Sequence, residues 1–112
     1  METVLVTGGA GYIGSHVVLA LRDAGRPVVV LDDLSTGNRD NVPADVPLIV
    51  GDAGDAGLID TVLRTHAVGT VMHFAGSIIV PESVADPLKY YRNNTLVSHA
   101  LIAASLAAGV RR

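Results

Sequence analysis

Apolar residues occur as short continuous runs that alternate with stretches at helical spacing. The first run is Thr3-Val4-Leu5-Val6-Thr7, and a run without polar interruption predicts a strand buried on both faces. Ile13, Val17, Ala20, Leu21 and Ala24 then predict a helix over 12–24, stopped by Gly25, a residue free to adopt the left-handed cap. Pro27-Val28-Val29-Val30-Leu31 reads as a second strand and Leu48-Ile49-Val50 as a short third. Leu58, Ile59, Val62 and Leu63 predict a second helix that ends near His66, with Asp55 as its N-cap. Thr70-Val71-Met72-His73-Phe74-Ala75-Gly76 predicts a fourth strand running into a small-residue turn. Asp86-Pro87 pairs a cap with a first-turn proline, so a long helix is expected from there to about Ala108, with Gly109 as its stop.

Strands that alternate with helices need parallel pairing and right-handed crossovers. The sequence therefore predicts an α/β fold with a parallel sheet. Leu88, Tyr91, Leu96, Ile102 and Leu106 give the last helix more apolar surface than one sheet face needs. The fourth strand falls near the end of the chain and is expected to lie at a sheet edge. Association through that edge and through the helix near 87–108, as a homodimer, is expected.

Composition narrows the class. The 112 residues suit one domain, and 49% hydrophobic against 17% charged excludes disorder. Aromatics are 4%, so the core must be built from Val, Leu, Ile and Ala. A net charge of −3 with scattered Lys and Arg gives no reason to expect nucleic acid or an anionic membrane as partner. There is no cysteine, hence no disulfide framework and no thiolate metal site, which is compatible with a cytoplasmic location. Neither a signal peptide nor a membrane-spanning run is expected.

The candidate chemistry lies between the first strand and first helix, in Thr7-Gly8-Gly9-Ala10-Gly11-Tyr12-Ile13-Gly14-Ser15-His16. Gly8, Gly11 and Gly14 lie three apart, and Gly9 to Gly14 also satisfies G-x-G-x-x-G. Such glycines permit a sharp reversal, close approach of a ligand to backbone, and close packing of helix on strand. The helix points unpaired N–H groups and its positive dipole end at the same gap, which suits a pyrophosphate. The second strand ends in Asp32-Asp33, and Asp32 stands 18 residues after Gly14, where a carboxylate accepts hydrogen bonds from an adenosine ribose. Together these predict a Rossmann-type doubly wound sheet, truncated to the visible strand order 3-2-1-4. The cofactor cleft would fall between the first and fourth strands.

The polar loop that follows can wrap an adenosine with Ser35, Thr36 and Gly37. Arg39 would favour a 2′-phosphate, but two preceding carboxylates repel one, so NAD is favoured over NADP. Position alone leaves Asp52 evenly between an adenine contact and a strand end. Taken alone, the paired amides Asn93-Asn94 read as a solvated or locally capped site. His16, His66, His73 and His99 have no metal-like spacing, and no catalytic or metal role is assigned to them.

TGGAGYIGSH, LDDLSTGNR, GDA, HFAGSIIVPESVADPLKYYRNN and the final AAGVRR resemble, in that order, the N-terminal half of the extended short-chain dehydrogenase/reductase family. The nearest likeness is to its nucleotide-sugar 4-epimerases. The resemblance implies that Tyr12 and Ile13 meet the NAD pyrophosphate. It implies that Asp32 holds the ribose, that Asp33, Leu34, Ser35, Thr36 and Gly37 line that half, and that Asp52 and Ala53 flank the adenine. Phe74, Ala75, Gly76, Ser77 and Ile78 would follow the cofactor, and Asn93 would contact it from the long helix. Many members have Lys where Ile78 stands and Asn where Asp33 stands.

The family's catalytic pair, Tyr-x-x-x-Lys, has no match here. His16, Asn94 and Thr95 stand four residues after Tyr12, Tyr90 and Tyr91. The resemblance thus implies that residues 1–112 are the NAD-binding portion of an enzyme whose catalytic strand, catalytic helix and UDP-sugar domain are absent. Other nucleotide-sugar dehydratases or epimerases of the family, and a non-catalytic NAD-binding module, are alternatives.

Overall fold

The structure is a computed structural model that describes residues 2–75 and 97–110. Four parallel strands form one sheet in the order β3-β2-β1-β4. They are β1 (Thr3–Thr7), β2 (Val28–Asp32), β3 (Leu48–Val50) and β4 (Val68–His73). Helices α1 (Tyr12–Asp23) and α2 (Ala56–Thr65) supply the crossovers, and α3 (Val97–Ala107) follows β4. The expected start of this last helix at Asp86 lies outside the described residues.

Period-two alternation sorts the strand side chains onto two faces. Val4, Val6, Val28 and Val30 pack with Val18 of α1 on one side. Leu5, Val29 and Leu31 pack on the other with Ile59, Val62 and Leu63 of α2 and Val97 and Leu101 of α3. All seven strand residues are buried, because helices cover both faces. Burying one of the larger side chains, such as Leu5 or Ile59, contributes roughly 1.5–3 kcal/mol.

Strand ends differ from the pattern by small, explicable amounts. β2 begins at Val28 because Pro27 has no N–H to give; its carbonyl still accepts from the Val4 amide at 2.9 Å. β2 reaches Asp32 because Asp32 pairs with Val50. β4 begins two residues before the expected start. Thr3 pairs with Val68 and Val4 with Thr70, so Gly69 is an extra residue that hides the strand's start from its alternation. β4 ends at His73, which pairs with Thr7, the last residue of β1. Helix α1 stops as expected, with Gly25 at φ 76°. Asp55 caps α2 by accepting from the Leu58 amide at 3.1 Å.

Among the described residues no helix is long and apolar enough to cross a membrane. Ile102 and Leu106 leave an apolar stripe exposed on α3.

Candidate functional site

The C-terminal ends of β1, β2 and β4 meet around the glycine turn. Gly8 carries φ 72°, and its N–H donates to the Leu31 carbonyl at 2.8 Å, which turns the chain sharply out of β1. A Cβ at Gly8 would lie 2.6 Å from the Phe74 carbonyl group, so the turn is seated against the end of β4. A Cβ at Gly14 would lie 2.2 Å from the Gly8 carbonyl oxygen, so α1 also sits directly on the turn. Both positions need glycine for space, and Gly8 needs it for conformation as well.

Gly11 is the N-cap of α1 and offers no side chain to it. The amides of Tyr12, Ile13 and Gly14 therefore head the helix without an intrahelical acceptor. Tyr12 and Ile13 are exposed, 81% and 62%, although both have large apolar side chains. No acidic residue occupies the first turn of α1, so the positive dipole end is uncompensated.

Asp32 is buried at the end of β2. Its Oδ2 accepts from the Ala10 amide at 3.0 Å and its Oδ1 from the Leu34 amide at 2.7 Å. A buried carboxylate is costly without donors, and two backbone amides supply them. Each oxygen keeps lone-pair capacity for a further donor, such as a ribose hydroxyl. The Leu34 bond is made with Leu34 at φ 63°, a left-handed conformation that costs a non-glycine residue roughly 1–2 kcal/mol.

Ala10, fully buried, is the hub of the site. Besides donating to Asp32, it accepts at its carbonyl from the Asn38 amide at 3.0 Å and from Asn41 Nδ2 at 2.9 Å. Gly37 packs on it so closely that a Cβ there would lie 2.9 Å from the Ala10 carbonyl carbon. The loop with Ser35 and Thr36 is thus pinned back onto the glycine turn, and both residues are exposed. Asp33 is exposed too and accepts from the Ser35 amide at 2.9 Å, which shapes the loop locally. The end of β3 joins this group through the Gly51 amide, 3.1 Å from the Asp32 carbonyl. Beyond it Asp52 accepts from the Gly54 amide at 2.8 Å, and Ala53 is buried.

The structure thus brings Gly8, Gly11, Tyr12, Ile13, Gly14, Asp32 to Gly37, Asp52, Ala53, Phe74 and Ala75 to one end of the sheet. Gly76, Ser77, Ile78 and Asn93 lie outside the described residues. Spacing gave no hint of Ala10 or Asn41. The Asn38 side chain accepts from the Asp40 amide and starts the short turn Arg39–Asn41, a local habit of Asn that was readable.

The histidines divide. His16 bonds the Tyr12 carbonyl at 2.7 Å through Nδ1 and is exposed. His66 caps α2, and His99 is exposed on α3. His73 is bonded to Thr7, but Thr7 is fully buried, so the two do not form an accessible nucleophile and base. No group of three metal-ligating side chains is found among the described residues.

A turn lined with amides, a dipole end and an adjoining buried carboxylate make a receptor for a diphosphate joined to a ribose. The family described as NAD dependent epimerase/dehydratase matches residues 4–112. The chain belongs to that family. It is 64% identical to the UDP-glucose 4-epimerase of Azospirillum brasilense over 107 residues, covering 96% of this chain and 31% of the relative. It is 43% identical to a UDP-glucose 4-epimerase of Klebsiella pneumoniae, covering 96% of this chain and 83% of that one. The solved structure of Thermus thermophilus UDP-glucose 4-epimerase in complex with NAD superposes with a TM-score of 0.94 at 41% identity, covering 98% of this chain and 35% of that one. The chain therefore spans about a third of the length of the Azospirillum and Thermus proteins.

Proposed function

We propose that residues 1–112 are the NAD-binding portion of a UDP-glucose 4-epimerase, with the adenosine diphosphate half of the cofactor at the end of the sheet just described. The observation that carries this reading is the pairing of the Tyr12 and Ile13 amides, exposed at the head of α1, with Asp32 held beside them by Ala10. The amides and the helix dipole would hold the diphosphate. Asp32 would take the adenosine ribose hydroxyls, with Asp33, Leu34, Ser35, Thr36 and Gly37 around it and Asp52 and Ala53 at the adenine. Phe74 and Ala75 would flank the cofactor, together with Gly76, Ser77, Ile78 and Asn93. Asp32 and Asp33 would repel a 2′-phosphate, which favours NAD over NADP.

NAD, when bound, supplies the hydride acceptor for oxidation at the sugar C4 and the donor for its reduction. This chain's residues bind and orient that group; they do not move the substrate's proton. Neither Tyr12, Tyr90 nor Tyr91 has a lysine four residues on. The catalytic strand and helix and the UDP-sugar site are assigned to parts of the enzyme beyond these residues. On its own the chain would bind cofactor without turnover. In the whole enzyme it would work on UDP-glucose and UDP-galactose in the cytoplasm as a homodimer, with Ile102 and Leu106 of α3 facing the partner.

Separate calorimetric titrations with NAD, NADP, ADP-ribose and UDP-glucose test the reading. NAD and ADP-ribose should bind, NADP more weakly, and UDP-glucose not at all. Binding of UDP-glucose in the absence of NAD binding would reverse it.

A further inference from the structure

His73 joins three elements where β1 and β4 end. Its Nδ1 is hydrogen-bonded to Thr7 Oγ1 of β1, and its Nε2 lies 3.1 Å from Ser98 Oγ of α3. Thr7 Oγ1 also accepts from the Phe74 amide at 3.2 Å, while the Thr7 carbonyl accepts from the same amide at 2.9 Å. Thr7 is fully buried, and among the described residues His73 Nδ1 is the acceptor within reach of its hydroxyl proton. Nδ1 is then the acceptor, and Nε2–H donates to Ser98, an assignment that only a neutral imidazole satisfies. The backbone fixed in this way, Phe74 and Ala75, is the surface against which Gly8 packs.

A proton on this ring would upset the arrangement. Both nitrogens would donate, and the buried Thr7 hydroxyl would lose the acceptor for its own proton. Within their described residues β1, β4 and α3 carry no acid or base except His73 itself and His99, which is exposed, so these residues offer no carboxylate to an imidazolium. Burial of the ring pushes the His73 pKa below its ordinary 6.5.

We propose that His73 is a positioning residue for the nucleotide cleft: neutral, it locks β1, β4 and α3 together under the Phe74–Ala75 backbone, and protonation releases that lock and weakens nucleotide binding. The link to nucleotide rests on the NAD reading above; the lock itself does not. The sign follows from the lowered pKa. Above 6.5 the ring is neutral in folded and unfolded chains alike and the lock is intact. As pH falls from there towards the lowered folded value, the unfolded chain takes up the proton first, and stability declines.

NMR titration of the protein without nucleotide tests the lock. The His73 ring should titrate below 6.5, and exchange protection of the Phe74 amide should drop through the same transition. In His73→Asn, which is neutral throughout, the drop in protection should be absent. Ser98→Ala, which removes one arm and leaves the ring, should weaken Phe74 protection at neutral pH. NAD affinity should fall roughly three- to tenfold between about pH 7.5 and about pH 5.5 in the wild type, as expected for one or two neutral hydrogen bonds lost, and this fall should vanish in His73→Asn. Titration of His73 at or above 6.5, or Phe74 protection unchanged across its transition, would overturn the proposal whatever NAD does. An identical pH profile of NAD affinity in His73→Asn would overturn its link to the cleft. Failure of NAD to bind at neutral pH beside an intact coupled titration would overturn the nucleotide reading while upholding the lock.

Discussion

The two ends of the sheet are built from similar materials and held in different ways. At the N-terminal end, Arg22 pairs with Asp45 at 2.9 Å, with both side chains largely in water, 44% and 61% exposed. The left-handed residues at that end, Gly25, Ala67 and Gly109, follow α1, α2 and α3, and they serve to stop a helix. A Cβ at Gly25 would meet nothing within 4 Å. At the C-terminal end the charge of Asp32 is drawn inside and answered by backbone amides. The left-handed residues there, Gly8 and Leu34, follow strands and stop no helix, and Gly8 is crowded by the Phe74 and Ala75 backbone. The C-terminal end alone combines a glycine turn crowded by backbone with a buried carboxylate held by amides, the pattern expected where backbone must meet a ligand.

Substitutions at the two ends should separate these cases. Gly8→Ala meets both a left-handed φ and the Phe74 backbone, and should destabilise by about 3 kcal/mol or more in chemical denaturation. Gly25→Ala has the same sign of φ but open space, and should cost only about 1 kcal/mol. Asp45→Ala removes a surface pair and should cost less than about 1 kcal/mol, the loss shrinking with added salt. Equal losses at Gly8 and Gly25 would mean that the crowding at the glycine turn is relieved by small movements, and the contrast would fail.

Much of the fold could be read along the chain, because local pattern sets it. Continuous Val and Leu runs mark strands covered on both faces, and the crossovers fix the order of four strands. Asp32 was legible at the end of β2, because strand length and the glycine turn place that residue beside the head of α1. What escaped the sequence depends on contacts across the chain. Thr7 and His73 are 66 positions apart and touch only because β1 and β4 pair in register. Asn41 reaches Ala10 over 31 positions, and no spacing rule connects an amide to an alanine carbonyl. The start of β4 was hidden by the extra residue at Gly69, which breaks the alternation that reveals strands. Leu34 carries a positive φ that its residue type argues against; the Asp32 carboxylate that accepts from its amide accompanies that conformation.

Asp32 accepts from two amides of its own fold, and the proposed function gives it a second partner, the ribose of a dinucleotide. Asp32→Asn keeps an acceptor for one amide and removes the charge. The decisive measurement is the calorimetric NAD affinity of this variant beside the wild type, at neutral pH and with both shown folded by circular dichroism. Loss of a charge-assisted hydrogen bond predicts a fall of about tenfold or more. The same affinity in both proteins would contradict the placement of the cofactor at this end of the sheet.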